Sequence, residues 1–104
     1  MGKQMKIGKW LDVWFEAYAK PVYAPNTLSL YMDARERMQK NSPGIEEWEL
    51  EDLLPVHFQT VMNRMADRYA KSTIRHIQSL YRMAYNKAMD NGLCCANPID
   101  KTTL

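Results

Sequence analysis

The sequence predicts an all-α protein, a compact bundle of four to five helices. Its 104 residues include only four glycines and five prolines, while eight methionines accompany many Leu, Ala, Lys, Arg and Glu residues. These residue types favour helices over β-sheets. Four segments repeat their apolar residues at helical spacing, and none alternates as a strand does. The 46% hydrophobic and 25% charged residues are ordinary for one soluble domain with a modest core.

The first predicted helix, Ile7 to Lys20, carries an unusually aromatic apolar stripe. Its members are Ile7, Trp10, Leu11, Trp14, Phe15 and Tyr18. Steps of three and four residues place them on one side of the helix, which predicts a large buried area. Packing in the core is the first interpretation, and docking on a partner is the alternative. Pro21 ends this helix because proline cannot continue it.

The second predicted helix, Thr27 to Lys40, follows Asn26, a residue type that caps helix N-termini well. Pro43 and Gly44 are predicted to stop the chain from continuing as a helix. The acidic stretch at 45–54 is predicted to be a packed connector rather than a helix.

Two further helices are predicted, from Pro55 to Tyr69 and from Thr73 to Asn91. Proline suits the first turn of a helix, and Ser72 is predicted to cap the helix that follows it. Gly92 is predicted to end that helix, because glycine adopts the left-handed conformation at low cost.

The net charge of +2 is distributed unevenly along the chain. Residues 1–40 carry seven Lys or Arg and four Asp or Glu, residues 41–70 carry two and six, and residues 71–104 carry five and two. The outer segments are therefore each +3 and the middle segment is −4. Two separated basic segments can form one positive face, suited to a polyanion such as nucleic acid. Scattered surface charge without a function is the alternative.

No catalytic or metal site can be assembled from the sequence. It contains no glycine-rich phosphate loop, no GxSxG and no HExxH, and His57 and His76 lie far apart. The adjacent Cys94 and Cys95 are predicted to be reduced thiols, since a disulfide between chain neighbours would be strained. No catalytic residue, metal or cofactor is therefore predicted.

The composition predicts a cytoplasmic protein without a membrane partner. No apolar run approaches the ~20 residues that a membrane-spanning helix needs. The N-terminus is polar and interrupted by lysines, which is unlike a secretory signal.

Polar and basic side chains of the second and fourth predicted helices form the candidate binding surface. The complete candidate set is Asn26, Thr27, Tyr31, Arg35, Lys71, Ser72, Thr73, Arg75, His76, Ser79 and Arg82. In the fourth helix these residues recur at steps of three and four, opposite the apolar stripe. Helix N-termini favour phosphate, and Arg, Ser, Thr and Asn contact phosphates and base edges. The spacing leaves open that these are the solvated backs of two amphipathic helices.

Three stretches carry motifs in a recognisable order: NTLSLYMDARERM, LEDLLPVHFQTVMNRM and KSTIRHIQSLYRMAYNKAMDNGLCCANPI. The first contains Thr-x-x-x-Tyr at Thr27 and Tyr31, and the second contains Leu-x-x-Leu-x-Pro ending at Pro55. The third combines Ser-Thr-Ile-Arg-His-Ile with alanines at 84 and 88, then Asn-Gly-Leu and Asn-Pro. In this order and spacing the chain resembles, over about residues 7–100, the core-binding domain of phage-type tyrosine recombinases, or integrases.

The resemblance implies a SAM-like helical bundle that binds double-stranded DNA at a core recombination site. Family helices similar to the second and fourth here lie against the major groove, and a C-terminal catalytic domain completes a clamp around the duplex. Other integrase protomers join in a synaptic tetramer. The implied function is the DNA-binding domain of a recombinase that integrates a phage or mobile element in its host's cytoplasm. The alternative is a helical protein–protein interaction module without DNA contact.

The family's catalytic His-x-x-Arg has no counterpart here. Thr60 and Ser79 stand at the third place after His57 and His76, respectively. The chain is therefore predicted to be a non-enzymatic fragment of a recombinase. The predicted division is an N-terminal tail or cloning remnant at 1–6, the DNA-binding domain at 7–98, and the start of a linker to an absent catalytic domain at 99–104.

Overall fold

Four α-helices carry the fold in the computed structural model, which describes residues 5–104. They are α1 Ile7–Trp14, α2 Pro25–Asn41, α3 Pro55–Met65 and α4 Lys71–Asp90. No β-strand forms within residues 5–104, where a single isolated β-bridge pairs Lys6 with Glu49. The predicted all-α bundle is confirmed. The most extensive packing between helices joins α2 and α4.

The aromatic stripe of α1 lies inside the core. Trp14 is 2% exposed, and Trp10 donates a hydrogen bond from its indole Nε1 to the Ala84 carbonyl of α4 at 2.7 Å. The helix is not uniform, because after Trp14 it continues as a π-helical turn, Phe15–Ala19. The core interpretation is confirmed for Ile7, Trp10, Leu11, Trp14 and Phe15, which are buried, while Tyr18 at the end of the stripe is half-buried.

Two helices begin earlier than predicted. The extended residues that precede α2 and α4 are Ala24 and Ala70, and neither provides a side-chain cap. Asn26 and Ser72 therefore lie inside the first turns, and their predicted capping roles were wrong. Pro25 favours the earlier start of α2, since its fixed φ suits a first helical position. The third helix, α3, ends earlier than predicted, at Met65 rather than at Tyr69.

The predicted end of α4 is confirmed at Gly92. This glycine has φ +73°, and Leu93 donates its N–H back to the Ala88 carbonyl at 2.9 Å. A residue with left-handed backbone followed by this hydrogen bond forms a Schellman motif. Any residue other than glycine would be strained at position 92.

The acidic stretch after α2 is a packed connector, as predicted. It forms two short 3₁₀ turns, Ile45–Glu47 and Leu50–Asp52, whose first residues are buried. Leu50 donates its N–H to the Met5 carbonyl at 2.9 Å. The predicted tail at 1–6 thus includes packed residues from Met5 onward, and its first four residues lie outside the described range.

The chain after Asn97 packs back on α3 and α4 instead of leaving the bundle. Asn97 caps a 3₁₀ turn, Pro98–Lys101, by accepting the Ile99 N–H at 3.0 Å. Ile99 and Thr102 are buried, and Gln78 of α4 donates to the Thr102 hydroxyl at 3.1 Å. The packed body therefore extends past the predicted boundary at 98, while the linker role of 99–104 stays a prediction.

None of the helices in the described part is both long and apolar enough to cross a membrane.

Candidate nucleic-acid interface

The two sides of α4 differ completely in chemistry. One side is fully buried, and it consists of Ile74, Ile77, Leu80, Tyr81, Ala84, Tyr85 and Ala88. The opposite side carries the predicted polar residues Ser72, Arg75, Ser79 and Arg82. We call these four residues the α4 strip. Because the buried side anchors the helix rigidly, the strip presents its side chains from a fixed platform.

Within the α4 strip, Arg75 is the residue most free to bind a ligand. It is exposed, and among residues 5–104 it forms no ion pair or side-chain hydrogen bond. Lys71 and Ser72 are also exposed, and the N-terminus of α4 has no side-chain cap. His76 and Ser79 are half-buried. The first half of α4 therefore offers an exposed guanidinium about one turn from the Lys71 and Ser72 backbone N–H groups, which have no partner among residues 5–104.

Arg82, at the other end of the α4 strip, has a protein partner. Its Nε lies 3.2 Å from the Asp100 carboxylate, which belongs to the 3₁₀ turn packed against α4. Both side chains remain substantially exposed, so the pair is weak and can exchange for phosphate. Asn86, one turn further along, is exposed and accepts a hydrogen bond from Asn97 at 2.9 Å. Asn86 lies four residues after Arg82, and this helical spacing in the sequence could have predicted that Asn86 shares the α4 strip.

Thr73 does not share the α4 strip. It is half-buried, and its backbone N–H donates to the Ala70 carbonyl at 3.0 Å. At 100° per residue it points away from Arg75 and toward the buried side. Its contact with DNA stays a prediction, and the structure places Thr73 on a different side of α4 from Arg75.

On α2, the predicted Arg35 is occupied by the protein itself. Its Nε and Nη2 donate to the two oxygens of Glu46 at 3.0 and 2.8 Å, and its Nη1 donates to Asp12 at 2.8 Å. Nη2 also reaches the Gly8 carbonyl at 3.2 Å. The hydrogen bond to Glu46 is the main cause that raises the pKa of Arg35, and the side chain is only 21% exposed. We call Arg35 with Asp12 and Glu46 the Arg35 hub.

Helical geometry explains why Arg35 and Asn26, both predicted to bind DNA, lie on different sides of α2. They are nine residues apart, which at 100° per residue places them on opposite sides of α2. Asn26 is exposed, whereas Arg35 faces α1 and the Ile45–Glu47 turn. The arginine that shares the exposed side with Asn26 is Arg37, eleven residues on, which is not among the predicted site residues. The eleven-residue spacing between Asn26 and Arg37 is the sequence signal that could have placed both residues on one side of α2.

Tyr31 and Thr27 lie at the seam between α2 and α4, and both are half-buried. The Tyr31 ring contacts Tyr23 with ring centroids 5.6 Å apart, and the Tyr23 hydroxyl lies 3.3 Å from the Met83 sulfur of α4. Burial is the main cause that raises the pKa of Tyr31. These two residues therefore serve packing first and can reach a ligand only at the edge of the seam.

The remaining chemistry-bearing residues do not converge. Cys94 is buried and Cys95 exposed, and both are free thiols. The described part of the chain contains no group of three or more His, Cys, Asp or Glu side chains arranged to hold a metal. The exposed side of α4 remains the candidate site.

Comparison with known proteins identifies the fold. The chain superposes on the N-terminal domain of the prophage pi2 integrase from Lactococcus lactis with a TM-score of 0.83 and 15% identity, over 97% of this chain and 96% of that one. It superposes on lambda integrase, crystallised as a dimer bound to a core site, with a TM-score of 0.85 and 21% identity. That match covers 97% of this chain and 28% of lambda integrase. A fragment from Clostridium leptum gives a TM-score of 0.79 at 20% identity, over 94% and 86% of the two chains.

No protein-family model and no curated protein matches the sequence. The chain therefore has the fold of integrase N-terminal domains, as the motif order predicted, and it spans little more than a quarter of lambda integrase.

Proposed function

We propose that this chain is the DNA-binding domain of a site-specific tyrosine recombinase and that it binds duplex DNA with the exposed side of α4. The observation that carries the proposal is the α4 strip, whose Arg75 has no partner among residues 5–104. The fold supports it, because the matching domain occurs in lambda integrase, which was crystallised on a core site. Exposed Arg and Ser on a helix of this kind can contact both phosphates and base edges.

The partners proposed for the whole protein follow from the same relationship. They are a core recombination site, a C-terminal catalytic domain and further integrase protomers. We propose that the 104 residues bind DNA in the cytoplasm of the host of a phage or mobile element, and that they neither cut nor join it. Incubation with a suicide recombination substrate should give no covalent protein–DNA adduct. A tyrosine-linked adduct would refute this part of the proposal.

The alternative function, a protein-interaction module, has lost its main support. It depended on an aromatic stripe free to dock on a partner, and Trp10, Trp14 and Phe15 are buried in the core.

The first test replaces both arginines of the α4 strip with alanine, Arg75→Ala with Arg82→Ala. Fluorescence anisotropy with a labelled duplex at low salt should show a loss of roughly fivefold or more, corresponding to ~1 kcal/mol for lost Arg contacts. Non-specific binding by a domain of this charge is weak, ~10⁻⁴–10⁻⁶ M at physiological salt, so low salt is essential.

A control matched in charge separates a specific contact from a general loss of positive charge. Lys9→Ala with Lys20→Ala removes two cations from the segment 7–20, where Lys9 is exposed and Lys20 pairs with Glu16 alone within residues 5–104. This control should change affinity by less than about twofold. If the two double variants bind equally well, the α4 strip is not the DNA-binding face.

A further inference from the structure

Five exposed cations surround the place where α2 and α3 end and α4 begins. They are Arg37, Lys40, Arg64, Arg68 and Lys71. We call this set the basic junction. Two of its members come from the 41–70 segment, whose net charge of −4 concealed them in the sequence. The acidic side chains of that segment are mostly elsewhere, such as Glu46 in the Arg35 hub and Glu47 paired with Lys6.

A partly buried hydrogen-bond network connects two members of the basic junction, Arg37 and Arg64. Asn41, the last residue of α2, is only 8% exposed, and its Nδ2 donates to the Tyr69 hydroxyl at 3.2 Å and to the Arg37 carbonyl at 2.9 Å. Arg64 of α3 donates from Nη1 to the Asn41 carbonyl at 3.3 Å. The Arg37 guanidinium lies 6.0 Å from the centre of the Tyr69 ring. Three chain segments are thereby fixed around one asparagine.

The positive charges of the basic junction are only partly offset by nearby carboxylates. Among residues 5–104, none of the five cations forms an ion pair. The acidic residues nearest to them in the sequence are Asp33 and Glu36 of α2 and Asp67 after α3. The five cations and these three carboxylates together carry a net charge of +2. Asp33 and Glu36 border the same shallow surface as Arg37 and Lys40. A net positive surface with cations free in solvent favours a polyanion.

The basic junction is continuous with the α4 strip. Lys71 is the first residue of α4, and at 1.5 Å per residue it lies ~16 Å along the helix axis from Arg82. The junction would therefore contact a part of the duplex separate from the part opposite Arg82. Effects at sites this far apart usually add independently.

We infer that the basic junction is a second contact surface for the DNA phosphate backbone, which extends the footprint of α4 along the duplex. This inference rests on the proposed function of the chain. The side chains suit phosphate rather than bases, because Lys40, Arg68 and Lys71 are flexible cations without a fixed orientation. The junction contributes affinity and register, and it does not read the sequence.

The test replaces two junction cations whose side chains make neither a hydrogen bond nor a ring contact among the described residues, Lys40→Ala with Arg68→Ala. Anisotropy titrations at several salt concentrations give the slope of log K against log salt for a core-site duplex and for an unrelated duplex. Losing two phosphate contacts should reduce the steepness of that slope by ~1.8. Between about 50 and about 200 mM salt the variant should thus lose ~10-fold less affinity than the wild type.

The pattern across variants distinguishes the inference from the proposed function. The Lys40→Ala with Arg68→Ala variant should lose affinity for both duplexes by the same factor. The Lys9→Ala with Lys20→Ala control should leave the slope of log K against log salt nearly unchanged. If the junction variant behaves like that control while the α4 strip variant still loses affinity, the inference is wrong and the proposed function stands. If the wild type shows no salt-dependent binding to either duplex, both are wrong. Circular dichroism confirms that each variant remains folded.

Discussion

Arg35 and Arg75 occupy helices that pack in one bundle, yet they have opposite surroundings. Arg35 donates four hydrogen bonds inside the Arg35 hub, whereas Arg75 stands exposed on α4 without a protein partner among residues 5–104. The sequence predicted both as DNA-binding residues. The difference lies in which carboxylates reach each guanidinium, and these come from distant chain positions, since Glu46 is 11 and Asp12 is 23 residues from Arg35.

The largest expected effect is the loss of stability in Arg35→Ala. The Glu46 side chain is only 11% exposed, so removing Arg35 leaves a carboxylate largely buried without its partner. Breaking such a pair from one side should lower the free energy of unfolding by about 3 kcal/mol. Urea denaturation measures this change, and the folded variant should bind duplex DNA within twofold of the wild type.

Arg75→Ala is the matched control for that comparison. Substitution of an exposed residue without partners should change the free energy of unfolding by less than about 0.5 kcal/mol. The comparison fails if Arg35→Ala is as stable as the wild type, or if it reduces DNA binding as strongly as Arg75→Ala does.

Much of the fold could be predicted because local patterns decide it. The apolar stripe of α1 indicated a buried helix, and Gly92 indicated the end of α4, since both signals lie within one helix turn or two. The starts of α2 and α4 were displaced, because the extended residues Ala24 and Ala70 carry no capping side chain that a sequence could reveal. The π-helical turn after Trp14 also left no local signal.

The candidate site could be predicted only in part, because partner choice is a tertiary property. The periodicity of α4 correctly separated its exposed side from its buried side. It could not show that Arg35 reaches Glu46, nor that Asn41 joins Tyr69 and Arg64 around a basic junction. These contacts connect residues 11 to 28 positions apart, beyond the range of helical spacing.

A smaller loss of stability is expected for Gly8→Ala, which tests the close approach of α1 to the Arg35 hub. A Cβ added to Gly8 would lie 2.7 Å from Glu46 Oε1, 2.9 Å from its Cβ and 3.2 Å from its backbone oxygen. Because the backbone cannot yield as a flexible side-chain end does, overpacking should cost ~1–3 kcal/mol. Thermal unfolding should show a lower Tm for this variant, while the exposed neighbour Lys9→Ala changes little. Equal Tm values for the two variants would contradict the tight packing of the hub.

Two buried tyrosines of α4 should respond in opposite directions to phenylalanine. The Tyr81 hydroxyl is buried and has no hydrogen-bond partner among residues 5–104, whereas the Tyr85 hydroxyl donates to the Leu50 carbonyl at 2.7 Å. Tyr81→Phe removes an unsatisfied polar group and should stabilise the fold by about 1 kcal/mol. Tyr85→Phe leaves a carbonyl unpaired and should destabilise it by about 1 kcal/mol. Chemical denaturation of both variants and the wild type measures these changes in the free energy of unfolding. Changes of the same sign in both variants would refute this account of the core.

The same tyrosines predict a loss of stability at alkaline pH. Burial is the main cause that raises the pKa of both phenols above the ordinary value. The unfolded chain titrates near pH ~10, so the stabilisation is complete below that pH and is lost as the pH rises toward the folded values. Unfolding free energies measured above about pH 10 should fall in the wild type and fall less steeply in each phenylalanine variant. An identical pH dependence in all three proteins would contradict this origin of the alkaline loss.

The most direct test of the central claim is an NMR titration of the ¹⁵N-labelled chain with a duplex at low salt. The account predicts that backbone amides of Ser72, Arg75 and Ser79 and the Arg75 Nε–Hε signal shift progressively with added DNA. The Arg35 Nε–Hε signal and the amide of Gly8 should stay in place, because the Arg35 hub is satisfied within the protein. Shifts concentrated at Gly8, Asp12 and Arg35 with α4 unchanged would contradict the assignment of the exposed side of α4 as the DNA-binding surface.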